Sequence, residues 1–233
     1  TAGTNLLYLN GGTVKARVSA SDFLYNLTGA YVQNGGAVFE VPAGATVTAA
    51  QALLADAGST GGLTKLGAGR ITFAGANTFT GPVDVQGGDL FFSHVNGLAA
   101  GYGSPVSVAN EGSVGYNTVG GATLLNGLLT AGSSGYLTLF SSNAADNVTF
   151  AALPNMKLAF QGVVLYTGTF TPYQGQYDFK VEGATVTNGA TLTDDGATPG
   201  HLNVTGVSGG GMVLTGNNTY SGGTEVDAAT VTL

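Results

Sequence analysis

The chain has 233 residues, enough for one or two packed domains, with 43% hydrophobic content and a formal net charge of −7. Its six Lys and Arg residues are too few and too scattered to track phosphates, which excludes nucleic acid and anionic membrane surfaces as partners. Cysteine is absent, so disulfides and thiolate metal sites are excluded, and no apolar run has the length of a membrane helix, so no membrane insertion by this chain is expected.

Glycine is the outlier, at 40 residues, without the three-residue period of collagen. In chain order, short alternating runs are broken by Gly, Asn, Ser and Asp: "TVKARVS" from Thr13, "AVFEVPAGATVTA" from Ala37, "RITFAG" from Arg70, "PVDVQG" from Pro82 and "DLFFSH" from Asp89. The same style continues through "PVSVAN" from Pro105, "YLTLFSS" from Tyr136, "NVTFAAL" from Asn147, "MKLAFQGVVLY" from Met156, "TVTNGATLT" from Thr185 and "HLNVTG" from His201. A period of two marks a strand with one buried face, and the interrupting residues tolerate the left-handed geometry of tight corners. One segment, "TAAQALLADAG" from Thr48 to Gly58, has Ala and Leu at helical spacing and predicts a short helix. The prediction is an all-β chain.

An internal repeat selects among all-β architectures. "GRITFAGANTFTG" (69–81) returns as "GGMVLTGNNTYSG" (210–222): Gly75 falls on Gly216, Asn77 on Asn218, Phe79 on Tyr220 and Gly81 on Gly222. A fainter match lays "GTNLLYLNGGTV" (3–14) over "GSPVSVANEGSV" (103–114). Sandwiches and barrels do not require such self-similarity. A parallel solenoid does, because a rung cannot bury its apolar face alone and stacks on neighbours that resemble it. Asn77 and Asn218 are then candidate corner residues, with side-chain amides bonding to adjacent backbone or to the next rung, and Gly75, Gly216, Gly81 and Gly222 are the tight positions around them. With rungs of roughly 20 residues the protein makes about eleven, as a single solenoid domain over 1–233.

"GGLTKLGAGRITFAGANTFTGPVDVQGGDLFF" (61–92) and "GGGMVLTGNNTYSGGTEVDAATVTL" (209–233) resemble the strand repeat of autotransporter passenger domains. Over 1–60 and 101–208 the rung style persists without the motif. Pro82 departs from the pattern where the second copy has Gly223, and no translocator barrel is present. The resemblance implies a right-handed parallel β-helix in a large secreted or surface-anchored bacterial protein, a class in which adhesins, stalks and fibres are common.

A search for chemistry yields little. His94 and His201 lack metal-ligand spacing and read as turn or surface residues. In "YDFKVEG", alternation puts Asp178, Lys180 and Glu182 on one solvent face, as a charged ladder or, in the rival reading, the acid–base groups of a polysaccharide-degrading enzyme. Asp194 and Asp195 read as a turn with too few oxygens for calcium. No cofactor is implied. The aromatic stretch at about 160–180 is either rung core or a small lateral lobe, in which case Tyr166, Tyr173 and Tyr177 form a candidate patch for surface glycans or a receptor. The expected function is a structural segment or subunit of a secreted or cell-surface fibre, stalk or adhesin; the alternatives are the enzyme and the glycan- or receptor-binding module. Thr1 in place of Met suggests a processed product or a section of something longer. Both terminal runs alternate like ordinary rungs, so the expected partners are further copies stacked head to tail, or adjacent solenoid segments of a longer chain.

Overall fold

A computed structural model of the protein describes residues 3–162, 165–207 and 209–233. The chain forms two compact units, one of residues 1–114 with 128–130 and one of residues 115–127 with 131–233.

In the first unit three columns of parallel strands grow by one strand per turn of the backbone. One holds Leu6–Leu9, Gly29–Val32 and Leu53–Ala55. A second holds Thr13–Lys15, Ala37–Glu40, Leu63–Leu66, Val83–Val85 and Val106–Val108. The third holds Ala20–Leu24, Thr46–Ala49, Arg70–Phe73 and Asp89–Phe92. Successive rungs are 26 residues apart between Ala37 and Leu63 but 20 between Leu63 and Val83, so corners absorb length changes while the strands stay in register. This is a parallel β-solenoid. Its interior follows from the period of two: Val83 and Val85 are fully buried while Asp84 between them faces out. Like residues stack on like. Phe39, Phe73 and Phe92 are all buried and meet in sequence, with ring centroids 5.3 and 6.1 Å apart. Ring contacts of this kind add about 0.5–1.5 kcal/mol per pair to burial.

The second unit repeats the principle. Ser134–Leu139, Asn155–Gln161, Gln176–Glu182, His201–Val207 and Thr224–Asp227 pair in parallel, as do Leu165–Tyr166, Thr185–Asn188, Gly211–Leu214 and Thr230–Thr232. A short column pairs Val148–Thr149 with Phe170–Thr171. Two isolated antiparallel bridges, Tyr173 with Gln176 and Asp195 with Thr198, close tight turns.

One expectation needs correcting, and one open alternative resolves to rung core. The segment 48–58 is not helical: Thr46–Ala49 and Leu53–Ala55 are strands in different columns. Val47, Ala49 and Leu53 point inward, and Gln51 at the corner between accepts a hydrogen bond from the Leu27 amide at 2.9 Å. Its apolar spacing spans two strands and a corner, and stacking overrides the helix propensity of Ala and Leu. The α-helix lies instead at Gly121–Leu128, where Leu125 is buried. Nor do the described residues at 160–180 form a lateral lobe; residues 163 and 164 of that stretch lie outside those described. Phe160, Phe170 and Phe179 are buried rung residues, with Phe179 5.6 Å from Phe160 and 5.5 Å from Phe170.

Candidate functional site

The corner at Asn77 shows what the repeated Gly-x-Asn-Thr-aromatic motif does. Its side chain is 1% exposed. The carbonyl oxygen Oδ1 accepts from the Leu53 amide at 2.8 Å, 24 residues back, and the Nδ2 amide donates to the Gly97 carbonyl at 2.7 Å, 20 residues on. One amide thus clamps three consecutive rungs. Asn77 also donates its backbone N–H to the Asn96 carbonyl, and Thr78 Oγ1 accepts from the Ala55 amide at 3.1 Å. Phe79 is buried against Tyr102, whose hydroxyl donates to the Gly81 carbonyl at 2.7 Å. In the second copy, Asn218 Oδ1 accepts from the Leu192 amide at 3.0 Å from a half-buried position.

The glycines follow from the same stacking. A Cβ on Gly75 would sit 2.6 Å from the Ala52 amide nitrogen, and one on Gly81, Gly216 or Gly222 would collide with the carbonyl of Thr60, Ala190 or Gly200 respectively. Each of these obstacles is the backbone of the neighbouring rung, which no rotamer change removes.

One residue breaks the interior pattern. Lys65 occupies the position between Phe39 and Val85 in the stacked register and is fully buried. Its ammonium donates to the carbonyls of Leu66, Gly67 and Gly87 at 2.9, 2.7 and 3.1 Å. Burial pulls its pKa down to about 8, against a smaller upward pull from the Asp89 charge. Asp89 itself pairs with Arg70 at 2.7 Å, and the Arg70 guanidinium lies over the Phe91 ring. In the second copy the sequence equivalent of Lys65 is Gly206, so the carbonyl-capped lysine belongs to the first copy alone.

The remaining candidate residues have local partners. Lys180 pairs with Glu182 at 2.8 Å and lies over the Tyr136 ring, while Asp178 accepts from Asn203 Nδ2. That is the charged ladder rather than a carboxylate pair facing a cleft. Asp84 accepts from Gln86 and Ser107. Asp194 accepts from the Gly200 amide, the Ser221 amide and the Ser221 hydroxyl, and these bonds hold its carboxyl below the usual carboxylate range. Asp195 closes its turn with Thr198 through paired backbone bonds. His94 Nδ1 accepts from the Asn96 amide at 2.9 Å, and His201 opens a strand beside Gly223. Among the described residues no cluster of His, Cys, Asp or Glu could hold a metal ion.

The aromatic patch does not survive as a surface. Tyr166 and Tyr177 are 1% and 3% exposed, and only Tyr173 is half-exposed. Tyr166 donates to the Asp146 and Thr169 carbonyls, and the Tyr177 hydroxyl exchanges bonds with the Thr193 backbone. Beside Tyr177 an open depression of about 130 Å³ is lined by Thr171, Pro172, Thr191 and Asp194. A second, of about 280 Å³, lies over Ala99, Gly101 and Ser104. Both fall below the usual range of small-molecule pockets, about 300–1,000 Å³.

Nothing in the sequence marks Asp146 as a key residue. It is 6% exposed, and its carboxylate accepts from the amides of Gly120 and Ala122 at the start of the helix, 26 and 24 residues away in sequence, and from Asn143 Nδ2. A carboxylate on a helix N-terminus is a common cap, but this one arrives from the next rung, where no local sequence pattern announces it.

The family model of the passenger-associated-transport repeat matches residues 63–90 and 208–233. The autotransporter-associated repeat thus occurs twice. Each match takes in a corner asparagine with its flanking glycines, so the repeat is a unit of inter-rung bonding. Over 219 residues, 89% of its length, the protein is 26% identical to the adhesin BmaC autotransporter of Brucella suis biovar 1 (strain 1330). It spans 6% of that relative. No solved structure matches it.

Proposed function

We propose that this protein is a non-catalytic solenoid segment of a secreted or cell-surface bacterial adhesin, acting as part of a stalk or fibre that carries binding surfaces. The observation that supports this most is the pair of passenger-associated-transport repeats, together with the likeness to an autotransporter adhesin over most of the length. The polar residues of the motif are committed between rungs, and the carboxylates considered for an enzyme are engaged in local bonds, which suits a scaffold. In this reading the partners are adjacent solenoid rungs of a longer chain or of another copy, because the outermost strands of each unit carry the same strand edge that pairs with a rung elsewhere. The test is display of the segment within its full-length protein on a bacterial surface, with adhesion to host cells and matrix scored against a deletion of 1–233. Unchanged adhesion and unchanged display of distal epitopes together would overturn the proposal. Turnover of a polysaccharide, lost on Asp178→Ala or Glu182→Ala, would favour the enzyme instead.

A further inference from the structure

Five Asn-Gly dipeptides occur in the sequence, at Asn10, Asn34, Asn96, Asn126 and Asn188. This dipeptide is chemically labile because the glycine nitrogen meets no side-chain obstruction when it attacks the preceding side-chain amide. Whether it does so in a folded protein depends on whether that nitrogen and that amide are free to meet.

At four sites the solenoid ties these groups down. Asn10 Oδ1 accepts from the Gly35 amide at 2.7 Å, while the Gly11 nitrogen donates to the Gly36 carbonyl at 2.8 Å on the next rung. The same Gly35 nitrogen is the one that would attack Asn34, whose Oδ1 is held by the Thr60 amide at 3.1 Å. Asn126 sits inside the helix and grips Thr149 with both side-chain atoms at 2.8 Å. Asn188 is 1% exposed, its Oδ1 accepts from the Ala190 amide, and the Gly189 nitrogen donates to Tyr166 across the rung.

Asn96 differs on every count. Its side chain is exposed and has no hydrogen-bond partner among the described residues. The Gly97 nitrogen donates only within its own turn, to the His94 carbonyl at 2.8 Å. Freeing that nitrogen breaks a bond within its own turn, and the one inter-rung bond on the same peptide group is the one its Asn96 carbonyl accepts from the Asn77 N–H.

We propose that Asn96-Gly97 is the built-in deamidation site of this protein. The Gly97 nitrogen bonds to Asn96 Cγ, the bond from Cγ to Nδ2 breaks, and ammonia leaves with the proton from Gly97. The resulting cyclic imide takes up water at either carbonyl, giving aspartate or isoaspartate. No oxidant or cofactor enters. The site matters because the backbone of these two residues is the upper anchor of the Asn77 clamp: the Asn96 carbonyl accepts the Asn77 backbone N–H and the Gly97 carbonyl accepts its Nδ2. In isoaspartate the former Asn96 carbonyl leaves the main chain as a free carboxylate and the backbone runs instead through the added methylene and Cγ, so the two acceptors lose their spacing and cannot both keep their bonds to Asn77. Conversion therefore loosens the repeat corner and adds a negative charge beside it.

The test is incubation of the intact protein at mildly alkaline pH. Peptide mapping then reads the mass change of amide to acid, and isoaspartyl methyltransferase labelling reads the rearranged product. The same protein in denaturant shows the rate of all five sites without the fold. The expected result is conversion of Asn96 first, with the other four at least about tenfold slower when folded because each needs a rung to open. Amide exchange at Asn77 rises with conversion, and Asn96→Gln holds it constant over the same period. Equal or faster conversion at any other Asn-Gly in the folded protein overturns the proposal, as does an unmodified Asn96 when the denatured protein has converted.

Discussion

Replacing Asn77 with alanine strands two backbone groups at once. The Leu53 amide loses its acceptor at 2.8 Å and the Gly97 carbonyl loses its donor at 2.7 Å, around a side chain that is 1% exposed. A buried polar group left without a partner costs about 1–3 kcal/mol, and the carbonyl lies at the low end because an exposed turn flanks it. The sum is about 3 kcal/mol, most of it at Leu53. In a stacked array this loss is local, so the sensitive assay is native-state hydrogen exchange, with Leu53 the amide to watch. About 3 kcal/mol corresponds to exchange faster by roughly a hundredfold. Asn218→Ala is the control: one bond at 3.0 Å from a half-buried side chain, which water can replace, for a cost below about 1 kcal/mol. The reasoning fails if Leu53 exchange rises less than about tenfold, or if the two variants cost the same.

Gly81→Ala should destabilise by at least about 1–3 kcal/mol through collision with the Thr60 carbonyl, whereas Gly127→Ala, in open space within the helix, should stabilise by about 0.5–1 kcal/mol; chemical denaturation of the pair checks the contrast. Asp146→Ala should cost about 2–4 kcal/mol by uncapping the helix and leaving the Gly120 and Ala122 amides without their acceptor, while Asn143 Nδ2 keeps the Thr118 carbonyl, and Asp146→Asn should recover part of this, both read by thermal melting. Lys65 has a folded pKa of about 8 against 10.5 for the free side chain, so the unfolded state binds more protons between those values and stability should rise with pH across that window, a slope absent from Lys65→Met. Burial raises Tyr102 and Tyr166 above their ordinary 10.0, with the Asp146 charge adding to Tyr166, so the unfolded state loses these protons first and binds fewer once pH passes 10.0; stability should then fall, and denaturant midpoints against pH should show both limbs.

The strands were legible because their residues alternate and because copies match. Val83 and Val85, and Ile71 and Phe73, take the inward places that alternation assigns them. What local pattern could not supply was which rung meets which. Residues 48–58 read as helix because the corner at Gln51 is invisible without the Leu27 amide it serves. The tyrosines at 166 and 177 read as an outer face because counting by two fails when a rung turns a corner between them; their hydroxyls are spent on backbone carbonyls inside. Lys65 hides in the same way. A lysine in a run of alternating residues reads as an outward group, and only the three carbonyls around its ammonium explain why it faces in.

The placement of the motif also separates stability from recognition. Asn77, Thr78 and the flanking glycines act on the rungs above and below, and their polar side-chain atoms are committed there instead of being turned toward a ligand. On the outer face even the hydroxyl–carboxylate contacts run along the stack, as from Ser107 to Asp84 at 2.7 Å. A side chain pointing outward from a strand can therefore be exchanged without disturbing the register, provided it is not itself one of these inter-rung partners. Exposed strand residues with large apolar surface such as Leu6 and Val207 belong to that exchangeable set. Substituting them should leave Leu53 exchange at its original rate. Substituting Asn77 should do the reverse and speed that exchange at once, because its side chain holds the Leu53 amide directly.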